Sequence, residues 1–247
     1  MSGKTILVTG AARRVGCAIA REMHATGANI MVHDRQASAA AEALVAELNA
    51  LRPFSAACLQ ADLRDLATLP WLVAGTVERF GRLDALVNNA SSFFPTPFGS
   101  IDQAAWDDLV GSNLKAPLFL TQAAAPHLLA ARGAVVNITD IHAERPLAGY
   151  PLYCAAKAGL LGLTRALALA IELGPLVRVN AVAPGPILWP EDGFFDSSTR
   201  AEIVAHTLLE RAGCPQDVAR AVHYLLEDAT YVTGQVINVD GGRSAHL

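Results

Sequence analysis

Cysteine is scarce in this chain, and the few cysteines present are not arranged to bind a metal. The 247 residues include four cysteines, Cys17, Cys58, Cys154 and Cys214, and no two of them have the short spacing of a zinc or redox motif. Scattered thiols of this kind are typical of reduced cysteines in a reducing compartment. The sequence therefore predicts no metal site and a cytoplasmic location.

Charge is also scarce, and no apolar run is long enough to cross a membrane. Charged residues make up 17% of the chain and the formal net charge is -4, so we expect no nucleic-acid partner. The longest apolar stretch, 158–174, is interrupted by Thr164, Arg165 and Glu172 and is typical of a buried helix. The apolar run at the amino terminus is too short for a signal-peptide core, so we expect no membrane segment.

Apolar residues are abundant, at 52% of the chain, and they occur in short runs that alternate with helical patterns. This alternation predicts a single α/β domain over residues 1–247, with a doubly wound parallel sheet that is buried on both faces. No linker divides the chain, and the only repeat is the βα alternation itself. The predicted strands are Thr5–Val8, Asn29–His33, Ser55–Leu59, Leu83–Val87, Val135–Ile138, Val177–Val182 and Gln235–Val239.

A glycine-containing loop, 9–16, follows the first strand and leads into a helix predicted over Ala18–Thr26. Strand, glycine turn and helix form the context of a phosphate-binding loop, in which backbone N–H groups at the helix start approach a pyrophosphate. Gly10 and Gly16 are present, but Arg14 occupies the middle glycine position of the usual GxGxxG pattern. The loop alone leaves dinucleotide binding and a purely structural turn equally open.

The second strand ends in two residues that favour different nicotinamide cofactors. A carboxylate such as Asp34 binds the ribose 2′-OH of NAD, whereas an arginine such as Arg35 accommodates the 2′-phosphate of NADP. Arg13 and Arg14 in the glycine loop add positive charge nearby, although each could be a solvated arginine at a helix start. We expect NADPH to be preferred, with Asp34 opposing that preference.

The ends of the third and fourth strands should reach the same edge of the sheet, because right-handed crossovers place all these strand ends on one rim. Asp62, beside Leu63, is expected either to cap the next helix or to contact adenine. Asn89 and Ala90 follow the fourth strand.

The stretch from Asn137 to Lys157 carries a carboxylate, a phenol and an ammonium. Asp140 should stand at the carboxyl end of the fifth strand, where open α/β sheets bind ligands. Tyr153 and Lys157 are four residues apart on a helix expected to reach about Leu173, so they share a face. An ammonium at that distance should lower the pKa of Tyr153 from about 10. Taken alone, however, a tyrosine and a lysine at this spacing usually mark only a solvated helix face.

Two loops complete the expected rim. The aromatic loop 91–98 could cover the core, or it could place Phe93 where a flat substrate lies against the nicotinamide. The proline-rich loop 184–190 is followed by the polar segment 191–199, which we expect to act as a substrate lid.

Taken in order, TGAARRVG, NNA, Asn113, YxxxK and PG resemble the short-chain dehydrogenase/reductase family over the whole chain. The resemblance implies a seven-stranded Rossmann sheet, hydride transfer from a nicotinamide and a homotetramer. It further implies that Tyr153 is the acid, that Lys157 holds the ribose and lowers the Tyr153 pKa, and that Asn113 holds a proton-relay water. From the sequence pattern, Asn113 should lie between two helices, 101–112 and 114–131.

One position departs from the family pattern. Most members carry a serine thirteen residues before the tyrosine, and this chain has Asp140 there. With NNASSFFPTP and PLAGYPLY, this substitution resembles the pteridine reductase branch of the family. That resemblance implies that Phe93 stacks on a pterin opposite the nicotinamide, that Ser91 and Arg14 contact both cofactor phosphates and pterin, and that Tyr150 lines the pocket, with Leu188 and Trp189 on the substrate side.

The expected function is therefore NADPH-dependent reduction of a dihydropterin or dihydrofolate, with the proton delivered through Asp140 and Tyr153. The alternatives are an ordinary carbonyl reductase or alcohol dehydrogenase, and a cofactor-sensing protein without turnover. The residues expected to contact the cofactor are Gly10, Arg13, Arg14, Gly16, Asp34, Arg35, Asp62, Leu63, Asn89, Ala90, Ser91, Tyr153, Lys157, Pro184, Gly185 and Ile187.

Overall fold

A computed structural model of the chain describes residues 1–36, 38–170, 172–189 and 195–245. The strands of this part of the chain are β1 (Thr5–Val8), β2 (Asn29–Asp34), β3 (Ala56–Gln60), β4 (Ala85–Asn88), β5 (Ala134–Ile138), β6 (Arg178–Pro184) and β7 (Val236–Val239). Its α-helices are α1 (Arg14–Ala25), α2 (Ala39–Leu51), α3 (Thr68–Phe80), α4 (Gln103–Val110), α5 (Ala116–Ala131), α6 (Pro151–Ala168), α7 (Ser197–Ala205) and α8 (Pro215–Glu227).

The strands form one sheet in the order β3-β2-β1-β4-β5-β6-β7, and every neighbouring pair is parallel. The expected doubly wound, seven-stranded parallel sheet is confirmed. The strand order reverses between β1 and β4, so the connections after these two strands leave toward opposite sides. Such a reversal opens a crevice at the carboxyl ends of the strands, where ligands bind.

Helices cover both faces of the sheet, which explains why its strands are almost continuously apolar. In β1, Ile6 and Val8 face the core formed with α1, α2 and α8, whereas Leu7 faces the core formed with α3 and α5. All three side chains are fully buried. In the described part of the chain, no helix is long and apolar enough to span a bilayer.

Two helix boundaries differ from the sequence-based expectation by four residues or more. Helix α1 begins at Arg14 rather than Ala18, because the second half of the glycine loop is already its first turn. Helix α6 ends at Ala168 rather than near Leu173. Leu169 is 83% exposed, and Pro175, which cannot continue a helix, lies close ahead.

Asn113 was expected to separate two helices, and this is wrong. It lies inside a π-helical turn, Gly111–Lys115, that joins α4 to α5 without a break. Its side-chain Nδ2 donates to the carbonyl of Leu109, four residues earlier, at 3.0 Å. The wider turn thus gives the amide side chain a carbonyl partner within the helix itself, and such turns are frequent at functional sites.

Candidate active site

Two adjoining cavities lie along the carboxyl rim of the sheet. The larger has a volume of about 600 Å³ and the smaller about 430 Å³. They share the wall residues Arg13, Arg14, Val15, Asn89 and Ser91, so together they form one elongated site. The predicted residues that line at least one cavity are Gly10, Arg13, Arg14, Gly16, Asp34, Arg35, Asp62, Leu63, Asn89, Ala90, Ser91, Phe93, Asp140, Tyr153, Lys157, Pro184, Gly185, Ile187, Leu188 and Trp189.

The glycine loop forms one wall of the smaller cavity and fits a dinucleotide phosphate. A Cβ added at Gly16 would overlap the carbonyl oxygen of Gly10, and Gly10 itself has a φ of +61°. Asn89 holds the loop in place, because its Nδ2 donates to the carbonyls of Thr9 at 2.8 Å and Gly10 at 3.1 Å. The start of α1 is therefore kept close to the cavity, in the arrangement that binds anions.

His33, which the sequence analysis did not single out, clamps the same loop. Its Nδ1 accepts a hydrogen bond from the backbone N–H of Gly10 at 3.1 Å, so its Nε2 carries the proton and donates to the carbonyl of Ala61 at 2.9 Å. Burial lowers the pKa of His33 below its ordinary value, and the ring is therefore neutral at pH 7. The sequence feature that could have identified His33 is a histidine within a mostly apolar strand.

Asp34 and Arg35 both line the smaller cavity, but their side chains are engaged differently. Asp34 Oδ1 accepts from the backbone N–H of Arg35 at 2.8 Å, and Oδ2 accepts from the hydroxyl of Ser38. The carboxylate is thus occupied by the turn that leads into α2. The side chain of Arg35 is exposed at the cavity edge.

Asp62 does not cap the following helix, which was one of its two expected roles. Helix α3 is preceded by Ala67, and Asp62 instead pairs with the guanidinium of Arg64 at 2.6 Å. The hydrogen bond from Arg64 lowers the pKa of Asp62. Adenine contact by Asp62 stays a prediction.

In the larger cavity, Asp140 and Tyr153 are in direct contact. The Tyr153 hydroxyl donates to Asp140 Oδ2 at 2.7 Å, while Asp140 Oδ1 accepts from the backbone N–H of His142 at 2.8 Å. The hydrogen bond from His142 fixes the Asp140 carboxylate after β5. The hydrogen bond from Tyr153 places a phenol proton against this carboxylate at the cavity wall. Asp140 therefore both anchors the backbone and contacts the tyrosine.

The expected lowering of the Tyr153 pKa by Lys157 is wrong for this structure. Burial and the adjacent Asp140 carboxylate raise the pKa of Tyr153 well above its ordinary value, because both disfavour a phenolate. Lys157 Nζ lies 5.7 Å from the centre of the Tyr153 ring and donates to the carbonyl of Ile138 at 2.9 Å. Burial lowers the pKa of Lys157 to about 8. The sequence spacing predicted that Tyr153 and Lys157 share a helix face. It did not predict that burial and the Asp140 carboxylate set the direction of the Tyr153 pKa.

Phe93 lines the larger cavity, but Tyr150 does not, contrary to expectation. Tyr150 is 2% exposed and stacks on Phe93, with ring centres 4.6 Å apart and planes inclined by 13°. Phe93 also meets Tyr153 edge to face at 4.8 Å. Tyr150 thus supports one face of Phe93 from behind, and the 37% of Phe93 that is exposed faces away from it.

Asn113 lies behind the cavity wall and orders the start of the aromatic loop. It is buried, its Oδ1 accepts from the hydroxyl of Ser91 at 2.8 Å, and its Nδ2 donates to the carbonyl of Ser92 at 3.0 Å. Its expected role in holding a relay water stays a prediction.

Arg14 joins the glycine loop to the proline-rich loop. Its Nη2 donates to the carbonyls of Trp189 at 3.1 Å and Leu188 at 3.4 Å. The expected lid lies partly outside the described residues, since 190–194 are not described. The last part of the expected lid, from Phe195 onward, is described. Phe195 contacts Trp189 with ring centres 5.9 Å apart, and Asp196 caps α7.

Several lining residues of the larger cavity were not predicted. They are Val15, Ile138, Thr139, Ile141, His142, Leu147, Ile203 and Arg243. Pro186 and Phe195 also line it and belong to the predicted loop 184–190 and the predicted lid 191–199. Arg243 follows β7 and the turn at Gly241 and Gly242, and the rule that strand carboxyl ends meet at the rim could have identified it.

Comparisons with known proteins extend over almost the whole chain. A family model described as enoyl-(acyl carrier protein) reductase, one of the short-chain dehydrogenase/reductase models, matches residues 10–244. Pteridine reductase 1 of Leishmania tarentolae is 38% identical over 280 aligned positions that cover 96% of this chain and 95% of that protein.

Reductases with another substrate are nearly as similar. The 3-oxoacyl-[acyl-carrier-protein] reductase FabG of Staphylococcus aureus is 34% identical, with 97% of each chain covered. Among solved structures, a blue fluorescent protein from a metagenomic library, in complex with NADPH, superimposes with a TM-score of 0.90 at 36% identity, covering 98% of both chains.

Proposed function

The chain belongs to the short-chain dehydrogenase/reductase family, and within that family we propose that it is an NADPH-dependent reductase of pterins, taking dihydropterin or dihydrofolate to the tetrahydro form. The observation that carries this proposal is the hydrogen bond between Tyr153 and Asp140, at the position where most family members have serine. The coarser statement, an NAD(P)H-dependent oxidoreductase, holds for the family as a whole.

The reaction needs a hydride on a ring carbon and a proton on the neighbouring ring nitrogen. NADPH supplies the hydride when bound. The Asp140–Tyr153 pair holds the proton, since the raised pKa of Tyr153 keeps its phenol protonated at neutral pH. Lys157 is fixed beneath the pair by Ile138, and Phe93 offers a flat aromatic wall for the pterin.

The residues of the smaller cavity fit the phosphate and adenosine end of the cofactor. Gly10 and Gly16 let the loop pack closely on Ala90, Asn89 and the start of α1, and both glycines line the smaller cavity. A helix start held there suits a pyrophosphate, and Arg13 lines both cavities. Both oxygens of Asp34 are engaged by its own turn, whereas Arg35 is exposed toward the cavity. This difference supports NADPH over NADH, because the arginine is the group ready to meet a 2′-phosphate.

The ratio of kcat/KM for NADPH and NADH tests the cofactor preference. We expect NADPH to be preferred, and Arg35→Gln to reduce kcat/KM for NADPH about tenfold or more while leaving NADH nearly unchanged. A clear NADH preference in the wild type would mean that Asp34 governs the site, and Asp34→Ala should then shift the preference toward NADPH.

A second candidate is a reductase of 3-oxoacyl thioesters. It is favoured by the 34% identity to FabG and by the description of the matching family model. Reduction of a ketone leaves an alkoxide that a neutral hydroxyl orients well, whereas a carboxylate at position 140 would repel the developing negative charge. Asp140 therefore favours the pterin.

A spectrophotometric assay of NADPH oxidation separates the candidates. Dihydrobiopterin, dihydrofolate and acetoacetyl-coenzyme A are each offered to the same enzyme preparation. The proposal expects turnover of at least one dihydropterin with kcat/KM at least a hundredfold above that of the thioester. The reverse ratio would contradict it, and binding of NADPH with no turnover of any substrate would favour a cofactor-sensing protein.

We also propose a homotetramer in the reducing cytoplasm. Large apolar side chains are exposed on separate surfaces, among them Trp106 on α4 at 52% and Tyr231 before β7 at 101%. The four cysteines are all free thiols. Light scattering should give a mass close to four times the monomer mass of 26.0 kDa, and a monomer mass would contradict the assembly.

A further inference from the structure

The larger cavity extends well beyond the place where a pterin ring would lie. The ring is expected to stack on Phe93 beside the Asp140–Tyr153 pair, on the side formed by β5 and α6. The cavity, of about 600 Å³, continues to Phe195, to Ile203 on α7 and to Arg243 after β7. This part of the cavity is available to a substituent on the pterin.

The charges around the larger cavity are mostly positive. Among its described lining residues the only carboxylate is Asp140, which is hydrogen-bonded to Tyr153 and the backbone. Of the cations, Lys157 is hydrogen-bonded to Ile138, and Arg14 to the proline-rich loop. Arg13 and His142 also line this cavity, Arg13 in the part shared with the smaller cavity. The lining arginine that contacts α7 is Arg243, through the carbonyl of Ile203.

Arg243 is held in position by a well-ordered turn. Asp240 accepts hydrogen bonds from the backbone N–H groups of Gly242 at 2.9 Å and Ser244 at 2.7 Å, which fixes the backbone on either side of Arg243. The guanidinium Nη1 donates to the carbonyl of Ile203 at 2.7 Å. This contact aligns one edge of the side chain against α7.

The rest of the guanidinium has donors to spare. A guanidinium has five N–H donors, and one partner for Arg243 occurs within the described residues, the neutral carbonyl of Ile203. In residues 1–36, 38–170, 172–189 and 195–245, no carboxylate pairs with it. A half-buried guanidinium beside apolar side chains binds a carboxylate well, because two parallel N–H groups match its two oxygens.

We propose that Arg243 forms a subsite for the carboxylate of the glutamate tail of a folate-type substrate, and that it makes this enzyme prefer dihydrofolate to pterins with short uncharged side chains. The inference rests on the proposed pterin reductase function and names the substrate class for the same cavity. Dihydrofolate and dihydrobiopterin carry the same ring, so a contact with the tail changes one substrate and leaves the other as an internal control.

The test compares wild type and Arg243→Gln on these two substrates with saturating NADPH. The variant should raise KM for dihydrofolate about tenfold or more with kcat nearly unchanged, and should leave both constants for dihydrobiopterin within twofold. Arg243→Lys should recover part of the loss. Arg220→Gln removes an exposed positive charge on α8 and should change neither substrate, which controls for net charge.

Unchanged dihydrofolate kinetics in Arg243→Gln would overturn the subsite, as would an equal loss for both substrates. If the wild type reduces no pterin, the proposed function fails, and quenching of tryptophan fluorescence by folate and by biopterin decides the subsite separately. Tighter binding of folate that is lost in Arg243→Gln would support it. Equal binding of the two ligands, or no binding of either, would overturn it.

Discussion

Phe93 is held in position by two aromatic neighbours. Tyr150 stacks on one face of it at 4.6 Å, and Tyr153 holds its orientation by an edge-to-face contact at 4.8 Å. A ring fixed in this way loses little side-chain entropy when a flat ligand stacks on it. Such stacking contributes on the order of 1 kcal/mol beyond the buried area.

Phe93→Ala should therefore raise KM for dihydropterin about tenfold or more and leave the affinity for NADPH nearly unchanged. Phe98→Ala is the matched control, because Phe98 belongs to the same loop but is 95% exposed. KM from steady-state assays and the NADPH dissociation constant from fluorescence titration give the comparison. Equal losses for both ligands would mean that Phe93 has a structural role.

The lowered pKa of Lys157 predicts a pH dependence of the free energy of unfolding. Burial lowers its pKa from 10.5 to about 8, so between these two values the unfolded chain binds a proton that the folded chain has released. The stability contributed by this group therefore rises as pH increases from about 8 to 10.5, and the cost of burying the ammonium is fully present below about 8.

In Lys157→Met this pH-dependent cost is absent. The stability of the variant relative to wild type should then decrease between pH 7 and pH 10.5, as measured by urea denaturation at each pH. Lys115→Met, which removes an exposed ammonium from the π-helical turn, is the control. A constant difference across this range would mean that Lys157 titrates normally in the folded protein.

At the scale of elements, β2 and the glycine loop are joined through a side chain. His33 accepts from Gly10 and donates to Ala61, and thus connects the phosphate-binding loop to the segment after β3. Protonation would place a second N–H against the N–H of Gly10. Burial lowers the pKa of His33, although Asp34 and Asp62 favour the charged ring. The stability it contributes is present above the ordinary histidine pKa of about 6.5 and is lost as pH falls below that value.

His33→Leu should leave the N–H of Gly10 without its partner, at a cost of about 1–3 kcal/mol in stability, and should raise KM for NADPH several-fold. His24→Leu is the control, because His24 is also buried and its pKa is also lowered by burial, but it contacts Ser55 instead of the glycine loop. Thermal unfolding and NADPH kinetics on both variants check this. A similar rise in KM for both variants would show that the loss is one of general stability.

The elements themselves could be predicted from the sequence to within a few residues at most boundaries, because each strand is a short and mostly apolar run. The central strands are buried on both faces, and the edge strands β3 and β7 are partly exposed. The exceptions have local causes. Gly16 was taken as loop although it lies in the first turn of α1, where only glycine fits. Asn113 lies within a helical insertion that periodicity does not reveal.

At the scale of the whole molecule, the topology explains which site residues the sequence could indicate. Parallel strands bring Asp34, Asn89 and Asp140 to one rim, and this followed from the βα alternation. The stack of Tyr150 on Phe93 could not be foreseen, because its partners are 57 positions apart in the chain and meet only through tertiary packing. The raised pKa of Tyr153 depends in the same way on tertiary packing, which buries the phenol and brings the Asp140 carboxylate against it.

The most direct test of the account exchanges Asp140 for the serine found in most family members. Asp140→Ser should lower kcat/KM for dihydropterin about 10²-fold to 10⁴-fold, as expected on loss of a general acid, while NADPH binding stays intact. The decline of activity as Tyr153 loses its proton should also move to lower pH, because the Asp140 carboxylate adds to the effect of burial in raising the Tyr153 pKa. If the serine variant reduces dihydropterin within a few-fold of wild type and with the same pH profile, Asp140 only anchors the backbone at His142, and the carbonyl reductase alternative replaces the pterin mechanism.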